Sequence, residues 1–223
     1  MKREIFTTRD GSHSIKVEEL RESFHSENGS IQESLHTFIN SGLDFFTKTF
    51  GEAPIDVFEV GFGTGLNALL TQKWANKNEI KCNYTSVEAY PLEDELWQKL
   101  NYFEKISGIN QQDFFDLHLA KWQDSVSITQ NFDLTKINQE LESFETIKMF
   151  DVVFFDAFAP KVQPQLWTDK VFSSIYKSMN ENSVLVTYSA AGVARRNMAK
   201  AGFWIDEIKG AAGKREMTRA IKW

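Results

Sequence analysis

Several residue types that define special classes of protein are scarce in this sequence. The chain has one cysteine, Cys82, among 223 residues, which excludes an internal disulfide and a cysteine-based metal cluster. It contains no apolar run long enough to span a membrane, and its first residues lack the apolar segment of a signal peptide. It also has no repeat and no linker rich in glycine, serine or proline. We therefore expect a soluble, cytoplasmic protein that has no metal site and does not bind membranes.

The composition is that of a folded domain with an uneven charge distribution. Hydrophobic residues make up 42% and charged residues 25%, enough for one substantial core. The net charge is −6, but residues 192–223 contain eight basic and three acidic residues and so carry +5, which leaves −11 on the rest. A basic segment on an acidic body can face a polyanion, and it can equally be an ordinary solvated surface. Charge alone leaves both interpretations open.

The first fifty residues are predicted to form an N-terminal extension, residues 1–50, packed on the core. Two short strands, Glu4–Thr8 and His13–Val17, can pair across the turn signal Asp10-Gly11. The stretch Ser30–Glu33 has the pattern of a capping box and predicts the start of a helix whose apolar residues continue to Phe46.

From residue 51 the pattern changes to short apolar strands alternating with amphipathic helices. The predicted strands are 55–60, 84–88, 150–155, 183–188, 204–208 and 217–221, and the predicted helices are 66–77, a helix after Pro91 that carries Leu96, Leu100, Phe103 and Ser107, 168–179 and 192–201. Residues 126–137 alternate around Asn131 as a hairpin insertion. This alternation indicates an α/β fold, a doubly wound, Rossmann-like and mostly parallel sheet over residues 51–223.

A glycine-rich loop follows the first predicted strand of this region. Gly61, Gly63 and Gly65 stand between a buried strand and a helix, where missing side chains let a ligand lie against the backbone. The spacing G-x-G-x-G is one residue shorter than the dinucleotide fingerprint, so nicotinamide chemistry remains a minor alternative. Glu88, at the end of the next strand, is expected to accept hydrogen bonds from ribose hydroxyls. The loop, with Glu59 two residues before it, resembles the first motif of class I S-adenosylmethionine-dependent methyltransferases.

A second functional segment follows the strand Phe150–Phe155. Asp156 is expected at the carboxyl edge of the sheet, where open α/β folds bind ligands. A carboxylate there can hold an amine by its N–H groups and remove the surplus proton during methylation, while aromatic and proline side chains such as Phe158, Pro160 and Trp167 exclude water. Alternatively, Asp156 caps a loop and the other three side chains pack.

Five stretches together resemble one particular methyltransferase family. They are Phe24–Ser26 with Glu33–Ile39, Glu59–Asn67, Asp156–Pro160 with Pro164–Thr168, Tyr188–Arg196 with Ala201–Phe203, and Lys214–Met217. They are similar, in the same order, to motifs of the class I methyltransferases that make 5-methylaminomethyl-2-thiouridine at the wobble position of tRNA.

The resemblance implies that S-adenosylmethionine donates a methyl group to the exocyclic amine of 5-aminomethyl-(2-thio)uridine. It implies cofactor contacts from Glu59, Gly61, Phe62, Gly63, Gly65, Leu66, Asn67, Glu88 and Glu140, with Glu140 near the adenine. Asp156 is the implied catalytic residue, and the implied tRNA contacts are Phe158, Pro160, Trp167, Ser189, Arg195, Arg196, Lys214 and Arg215. Base stacking on an aromatic side chain and phosphate contacts from basic residues are the usual means of binding an anticodon loop.

Many members of this family are fused to a flavin-dependent oxidoreductase domain. Because the chain ends at Trp223, we expect the methyl-transfer part alone, with a separate flavin-dependent oxidoreductase acting upstream. Two alternatives stay open: a methyltransferase for a small-molecule or protein amine, which the net charge favours, and a non-catalytic cofactor-binding domain. The first is distinguished by whether Arg195, Arg196, Lys214 and Arg215 form one surface beside the glycine loop.

Overall fold

The first fifty residues form a small sheet and a long helix, in a computed structural model that describes residues 2–51, 53–211 and 213–223. Met1, Glu52 and Ala212 lie outside the described residues. Three antiparallel strands form the sheet, β1 (Arg3–Thr7), β2 (His13–Val17) and β3 (Glu22–Ser23). The helix begins as α1 (Ser30–Ser34), continues as a π-helix (Leu35–Leu43) and ends as α2 (Asp44–Thr49). The hairpin predicted across Asp10-Gly11 is therefore confirmed.

The predicted capping box at the start of this helix is wrong. The Ser30 hydroxyl donates a hydrogen bond to the His13 carbonyl at 3.0 Å instead of capping the helix, and the N-cap residue is Gly29. The first turn is capped from outside, because Asp10 Oδ2 accepts a hydrogen bond from the Gln32 amide at 3.1 Å. A residue of the hairpin turn thus joins the small sheet to the helix.

The rest of the chain surrounds an eight-stranded sheet. Its strands are β4 (Ile55–Val60), β5 (Cys82–Glu88), β6 (Ser125–Thr129), β7 (Phe132–Asn138), β8 (Phe150–Phe155), β9 (Met179–Thr187), β10 (Trp204–Lys209) and β11 (Glu216–Lys222). The strand order is β10-β11-β9-β8-β4-β5-β7-β6. β7, β5, β4, β8 and β9 are parallel neighbours, and β11 lies antiparallel between β9 and β10. The predicted mostly parallel α/β fold is confirmed.

Helices cover both faces of the sheet. They are α3 (Leu66–Asn78), α4 (Asp94–Trp97), α5 (Tyr102–Lys105), α6 (Gln111–Leu119), α7 (Asp169–Lys177) and α8 (Gly192–Ala201), with 3₁₀ turns at Leu141–Ser143 and Pro164–Trp167. Apolar side chains from α3, α6 and the N-terminal helix form one core, and those from α7 and α8 form the other. Among the described residues, no helix has the length and hydrophobicity needed to cross a membrane.

Two local predictions are corrected. The single helix predicted after Pro91 is two short helices, because the side chain of Asn101 accepts a hydrogen bond from the His13 amide and donates one to the Gly11 carbonyl. The hairpin around Asn131 is not an insertion. Its second strand, β7, pairs in parallel with β5 and extends the main sheet.

The strand order reverses beside β4, whose neighbours are β5 on one side and β8 on the other. The chain therefore leaves β4 and β8 in opposite directions, which opens a crevice at the carboxyl edge of the sheet. The glycine loop follows β4 and Asp156 follows β8, so the topology brings both segments to this crevice.

Candidate functional site

A cavity of about 790 Å³ occupies the crevice. Its walls come from the ends of β4, β5, β8 and β9, from the segment after β7, and from the N-terminal extension. Such a volume lies within the range of small-molecule sites. Asp156 and Glu88 both line the cavity, and polar and apolar groups share its surface.

The glycine loop forms one side of the cavity with a backbone that favours glycine. Gly61, Gly63 and Gly65 have φ angles of +91°, +50° and +74°, a region that side chains disfavour. A Cβ atom on Gly63 would also lie 3.0 Å from the ring of Phe24. The loop is held in place by Glu88, whose Oε2 accepts a hydrogen bond from the Gly63 amide at 3.0 Å. The amide backbone of the loop is therefore fixed and open to the cavity.

Glu88 connects the loop to the segment that follows β7. Its Oε1 accepts a hydrogen bond from the Tyr90 amide at 2.8 Å, and its carbonyl oxygen accepts one from Asn138 Nδ2 at 2.9 Å. Gln139 and Glu140 line the cavity beside Glu88. The Tyr90 hydroxyl donates a long hydrogen bond of 3.5 Å to Glu140. This end of the cavity offers carboxylate acceptors to a ligand with hydroxyl groups.

Among the other residues assigned to the cofactor, Phe62, Leu66 and Asn67 line the cavity, whereas Gly65 and Glu59 do not. Gly65 lies against His118, whose Nε2 would be 2.8 Å from a Cβ atom at this position. The assignment of Glu59 to direct cofactor binding is corrected, because its side chain is completely buried. The Ser86 hydroxyl donates to Glu59 Oε2 at 2.7 Å. Burial raises the pKa of Glu59 to about 8, against smaller lowering effects from Ser86, Asn67 and Tyr84.

Asp156 lies where β8 ends, and its amide donates to the carbonyl of Val60 in β4 at 3.1 Å. Asn67, in the first turn of α3, donates from Nδ2 to Asp156 Oδ2 at 2.8 Å. Burial raises the pKa of Asp156 to about 7; the Asn67 hydrogen bond and the Lys214 charge oppose this shift, and the Glu33 charge adds to it. Near neutral pH this carboxyl group can therefore both accept and release a proton.

The loop after Asp156 is fixed by hydrogen bonds that involve two of the predicted substrate residues. Phe158 lines the cavity and contacts Phe24 edge to face, with 5.3 Å between ring centroids. Trp167 is 1% exposed and donates from its indole nitrogen to the Phe158 carbonyl at 2.8 Å. Stacking of a base on Trp167 is therefore corrected to a packing role that supports Phe158. Pro160 is half-buried and is not part of the cavity wall.

The four basic residues whose arrangement distinguishes the possible acceptor classes differ in their pairing and exposure. Arg195 forms ion pairs with Glu207 and Glu216, both at 3.1 Å. Lys214 lines the cavity and pairs with Glu33 at 3.0 Å. Arg196 and Arg215 are exposed. Two of the four charges are thus already paired within the protein, and among the described residues only Arg196 and Arg215 of this set form no ion pair.

Ser189, another predicted substrate residue, is 6% exposed. Its carbonyl oxygen accepts a hydrogen bond from the Thr218 hydroxyl at 2.7 Å, and its side chain accepts one from the Ala191 amide at 3.3 Å. It lies outside the cavity wall. The structure therefore corrects Ser189 from a substrate contact to a residue that shapes the chain between β9 and α8.

Sequence reasoning gave no role to four side chains that the structure brings to the cavity. Phe24, His25 and Glu33 come from the N-terminal extension, and Tyr188 follows β9. Burial lowers the pKa of His25 to about 4, so the ring is neutral at pH 7. The motifs Phe24–Ser26, Glu33–Ile39 and Tyr188–Arg196 contain all four residues, but nothing in their spacing indicates that they meet Asp156.

Comparison with known proteins gives consistent matches. A family model described as S-adenosyl-L-methionine-dependent methyltransferase matches residues 104–223. A bifunctional protein MnmC of tRNA 5-methylaminomethyl-2-thiouridine biosynthesis from Hydrogenovibrio crunogenus is 32% identical over 206 residues, which cover 87% of this chain and 30% of that protein. The protein of the same name from Marinomonas sp. is 31% identical over 208 residues, with the same two coverages of 87% and 30%. The chain thus spans about a third of the length of the curated relatives it matches.

Solved structures agree with these matches. The crystal structure of MNMC2 from Aquifex aeolicus superimposes with a TM-score of 0.80 and 25% sequence identity, covering 99% of this chain and 70% of that chain. Streptomyces venezuelae DesVI gives a TM-score of 0.53 with 10% identity over 86% of this chain and 93% of its own. The similarity to DesVI is therefore a similarity of fold alone.

Proposed function

Because the chain belongs to the family of S-adenosyl-L-methionine-dependent methyltransferases, we propose that it methylates the exocyclic amine of 5-aminomethyl-(2-thio)uridine at the tRNA wobble position, giving 5-methylaminomethyl-(2-thio)uridine. The similarity to MnmC proteins, which take part in tRNA 5-methylaminomethyl-2-thiouridine biosynthesis, supports this substrate. The observation that carries the proposal is Asp156, a carboxyl group beside the glycine loop with a pKa of about 7 and with Oδ2 held by Asn67. Such a group can take the proton that the amine must lose before it is methylated.

The residues present fit the cofactor. The backbone of the glycine loop is open to the cavity, and Glu88 is positioned by the Gly63 and Tyr90 amides beside the same space. In the proposal Glu88 accepts hydrogen bonds from the ribose hydroxyls, and the Gln139–Glu140 segment lies near the adenine. When bound, S-adenosylmethionine supplies a methyl group on a positively charged sulfur, which keeps the electron pair of the broken bond.

Asp156 controls the proton on the acceptor. The substrate nitrogen forms its new bond to the methyl carbon with its lone pair, so the amine must be neutral when it reacts. Asp156 Oδ2 accepts a hydrogen bond from Asn67. In the proposal the second carboxylate oxygen accepts a hydrogen bond from an N–H of the amine and then takes the surplus proton. Phe158 and Phe24 limit water on this side of the cavity and offer a ring face to the splayed base.

The remaining assignments follow from this function. We propose that residues 51–223 form the methyltransferase domain and that residues 1–50 form an extension that completes its acceptor side. Because tRNA is the substrate, the reaction takes place in the cytoplasm. A reaction that exposes the aminomethyl group must come first, and a separate flavin-dependent oxidoreductase that removes a carboxymethyl group would supply it.

The direct test is transfer of a labelled methyl group from S-adenosylmethionine to tRNA that lacks this methyl group alone. We expect incorporation at the wobble uridine and none in tRNA whose wobble uridine has no aminomethyl group. Label in protein or in small amines, with none in either tRNA, would favour the alternative acceptor class.

Substitution Asp156→Asn tests the mechanism. The amide keeps the shape of the carboxyl group but cannot take a proton, so the single-turnover rate should fall by about 10²–10⁴-fold. Cofactor affinity should change far less, and higher pH should restore part of the rate by supplying neutral amine. The exposed Asp124→Asn is the matched control. If Asp156→Asn kept the wild-type rate and pH profile, Asp156 would not be the proton acceptor, and proximity of the amine to the methyl group alone would account for the reaction.

A further inference from the structure

The ammonium group of Lys214 lies in the acceptor side of the cavity. Its Nζ is 3.0 Å from Glu33 Oε2 and 4.3 Å from the centre of the Tyr188 ring. Lys214, Glu33 and Tyr188 all line the cavity that contains Asp156. Both charges of the ion pair act on the pKa of Asp156, with opposite signs, so the pair lies close to the proposed reaction centre.

Glu33 depends on this cation. The residue is 7% exposed, and among the described residues its Oε2 is buried without a hydrogen bond of good geometry. A buried carboxylate without compensation is costly, and the ammonium at 3.0 Å provides the compensation. Lys214 itself is more accessible, with 30% of its side chain exposed against 9% for Glu33. The carboxylate is thus built into the wall, while the lysine reaches it from a surface turn.

An aromatic face beside a carboxylate is a binding site for an alkylammonium ion. Cations bind over the face of tyrosine rings, and charge-assisted hydrogen bonds to a carboxylate strengthen and orient the contact. The end of a lysine side chain is a methylene group carrying an ammonium. The acceptor of the proposed function ends in the same group when it is protonated.

We propose that Glu33 and Tyr188 form the subsite that receives the protonated aminomethyl group of the substrate, and that Lys214 occupies this subsite in the free protein. The inference rests on the proposed function and assigns its substrate selectivity. Two ammonium groups cannot share one carboxylate and one ring face without strong repulsion, so Lys214 leaves as the substrate enters. The amine is held as a cation by Glu33, and its proton then passes to Asp156 before the methyl group is received.

The test compares two probes, 5-aminomethyluridine nucleoside and uridine, by calorimetric titration of the protein loaded with S-adenosylhomocysteine, the cofactor form that has no methyl group to transfer. E33Q should lose the preference for the aminomethyl nucleoside, with binding weakened about tenfold, because the amide lacks the charge that holds the cation. K214M should bind the aminomethyl nucleoside about tenfold more tightly, because the competing cation is gone. Uridine should bind equally weakly to all variants. K81M is the matched control, since Lys81 pairs with Asp133 at 2.7 Å before β5, at the opposite edge of the sheet.

A second readout separates this role from a loss of structure. Since the Glu33 charge raises the pKa of Asp156 and the Lys214 charge lowers it, the inflection of the pH–rate profile should move down in E33Q and up in K214M. If the wild type methylates tRNA but E33Q and K214M match K81M in nucleoside affinity, the subsite is wrong. If the wild type neither methylates aminomethylated tRNA nor prefers the aminomethyl nucleoside, the proposed function itself fails.

Discussion

Asn67 is the residue through which the fold controls the ionisation of Asp156. Its side chain donates to Asp156 Oδ2 at 2.8 Å, and this hydrogen bond lowers the pKa of a carboxyl group that burial has raised to about 7. Asn67→Leu removes the donor, so the pKa of Asp156 should rise further and less carboxylate should be present at neutral pH. We expect the inflection of the single-turnover rate to move to higher pH, with a lower rate at pH 7.

The control for this prediction is another asparagine–aspartate pair. Asn83 donates to Asp56 at 3.2 Å at the opposite edge of the sheet, so Asn83→Leu removes the same kind of bond away from the cavity. Its pH profile should match that of the wild type. If Asn67→Leu also kept the wild-type profile, the hydrogen bond would have no influence on the proton transfer.

Glu88 is expected to contribute to cofactor binding both by contact and by holding the glycine loop. Glu88→Ala removes the acceptors for the Gly63 and Tyr90 amides as well as the proposed ribose acceptor. Affinity for S-adenosylmethionine, measured by calorimetry, should therefore fall by about 1–3 kcal/mol. Glu104→Ala, in α5, is the control. Unchanged affinity in a folded Glu88→Ala protein would contradict the ribose assignment.

Individual side chains were predictable where backbone rules place them. Asp156 follows β8 and Glu88 is the last residue of β5, both strands end at the crevice, and both side chains line the cavity. Trp167 and Glu59 have side chains of types that commonly bind ligands. In the structure, however, Trp167 packs beneath Phe158, and Glu59 is buried behind the glycine loop. Glu33 comes from a helix that lies more than a hundred residues before Asp156 in the sequence. The hydrophobic pattern of the sequence does not predict that Glu33 lines the cavity with Asp156, because this depends on how the N-terminal extension packs on the main sheet.

At the scale of elements, Gly42 lets the N-terminal helix approach the sheet. A Cβ atom here would lie 3.0 Å from the Val186 side chain and 3.2 Å from the ring of Phe154. Gly42→Ala should therefore strain this packing and lower the free energy of unfolding by about 1–3 kcal/mol, measured by urea denaturation. Gly192→Ala is the control, because its Cβ would meet the movable end of Arg196 at 3.0 Å. Equal stability of the two variants would contradict the close approach.

Regular elements were predictable because each strand and helix has one dominant period. The strand Ile55–Val60 and the helix Gly192–Ala201 have the predicted bounds. The segment after Pro91 has helical spacing, yet Asn101 uses its side chain to bind the N-terminal hairpin, and the helix is interrupted there. Likewise, the hairpin of β6 and β7 was visible as a local pattern. Its place beside β5 is a long-range pairing that local patterns do not specify.

The whole molecule closes its cavity with both ends of the chain. The extension contributes Phe24, His25 and Glu33, and the turn before β11 contributes Lys214. This arrangement also explains the basic C-terminal segment. Arg195, Lys214, Arg219 and Lys222 form ion pairs with acidic side chains. About half of the positive charge of the segment is therefore paired within the fold. We propose tRNA contacts for three of the four basic residues of the segment that form no ion pair among the described residues.

These three unpaired basic residues give the prediction for the whole molecule. Arg196, Lys209 and Arg215 are exposed, and among the described residues none of them forms an ion pair. Arg196 lies in the first half of α8, Lys209 ends β10 and Arg215 precedes β11. All three therefore lie toward the carboxyl edge of the sheet, the edge that also holds the cavity. Changing all three to Glu should weaken tRNA binding and reduce its salt dependence, by about 0.9 in the log–log slope for each phosphate that the protein no longer neutralises.

The control reverses the same number of charges at the other edge. Lys77 lies in the last turn of α3, Lys148 precedes β8 and Lys200 lies in the last turn of α8, and all three are exposed. The two triple variants have the same net charge, so a general repulsion of tRNA by an acidic protein would weaken both equally. Filter binding over a series of salt concentrations should instead show a lower slope in the first variant alone, with cofactor affinity unchanged in both. Equal slopes in the two variants would contradict this surface. The tRNA would then have to reach Asp156 through other contacts, such as those of the N-terminal extension.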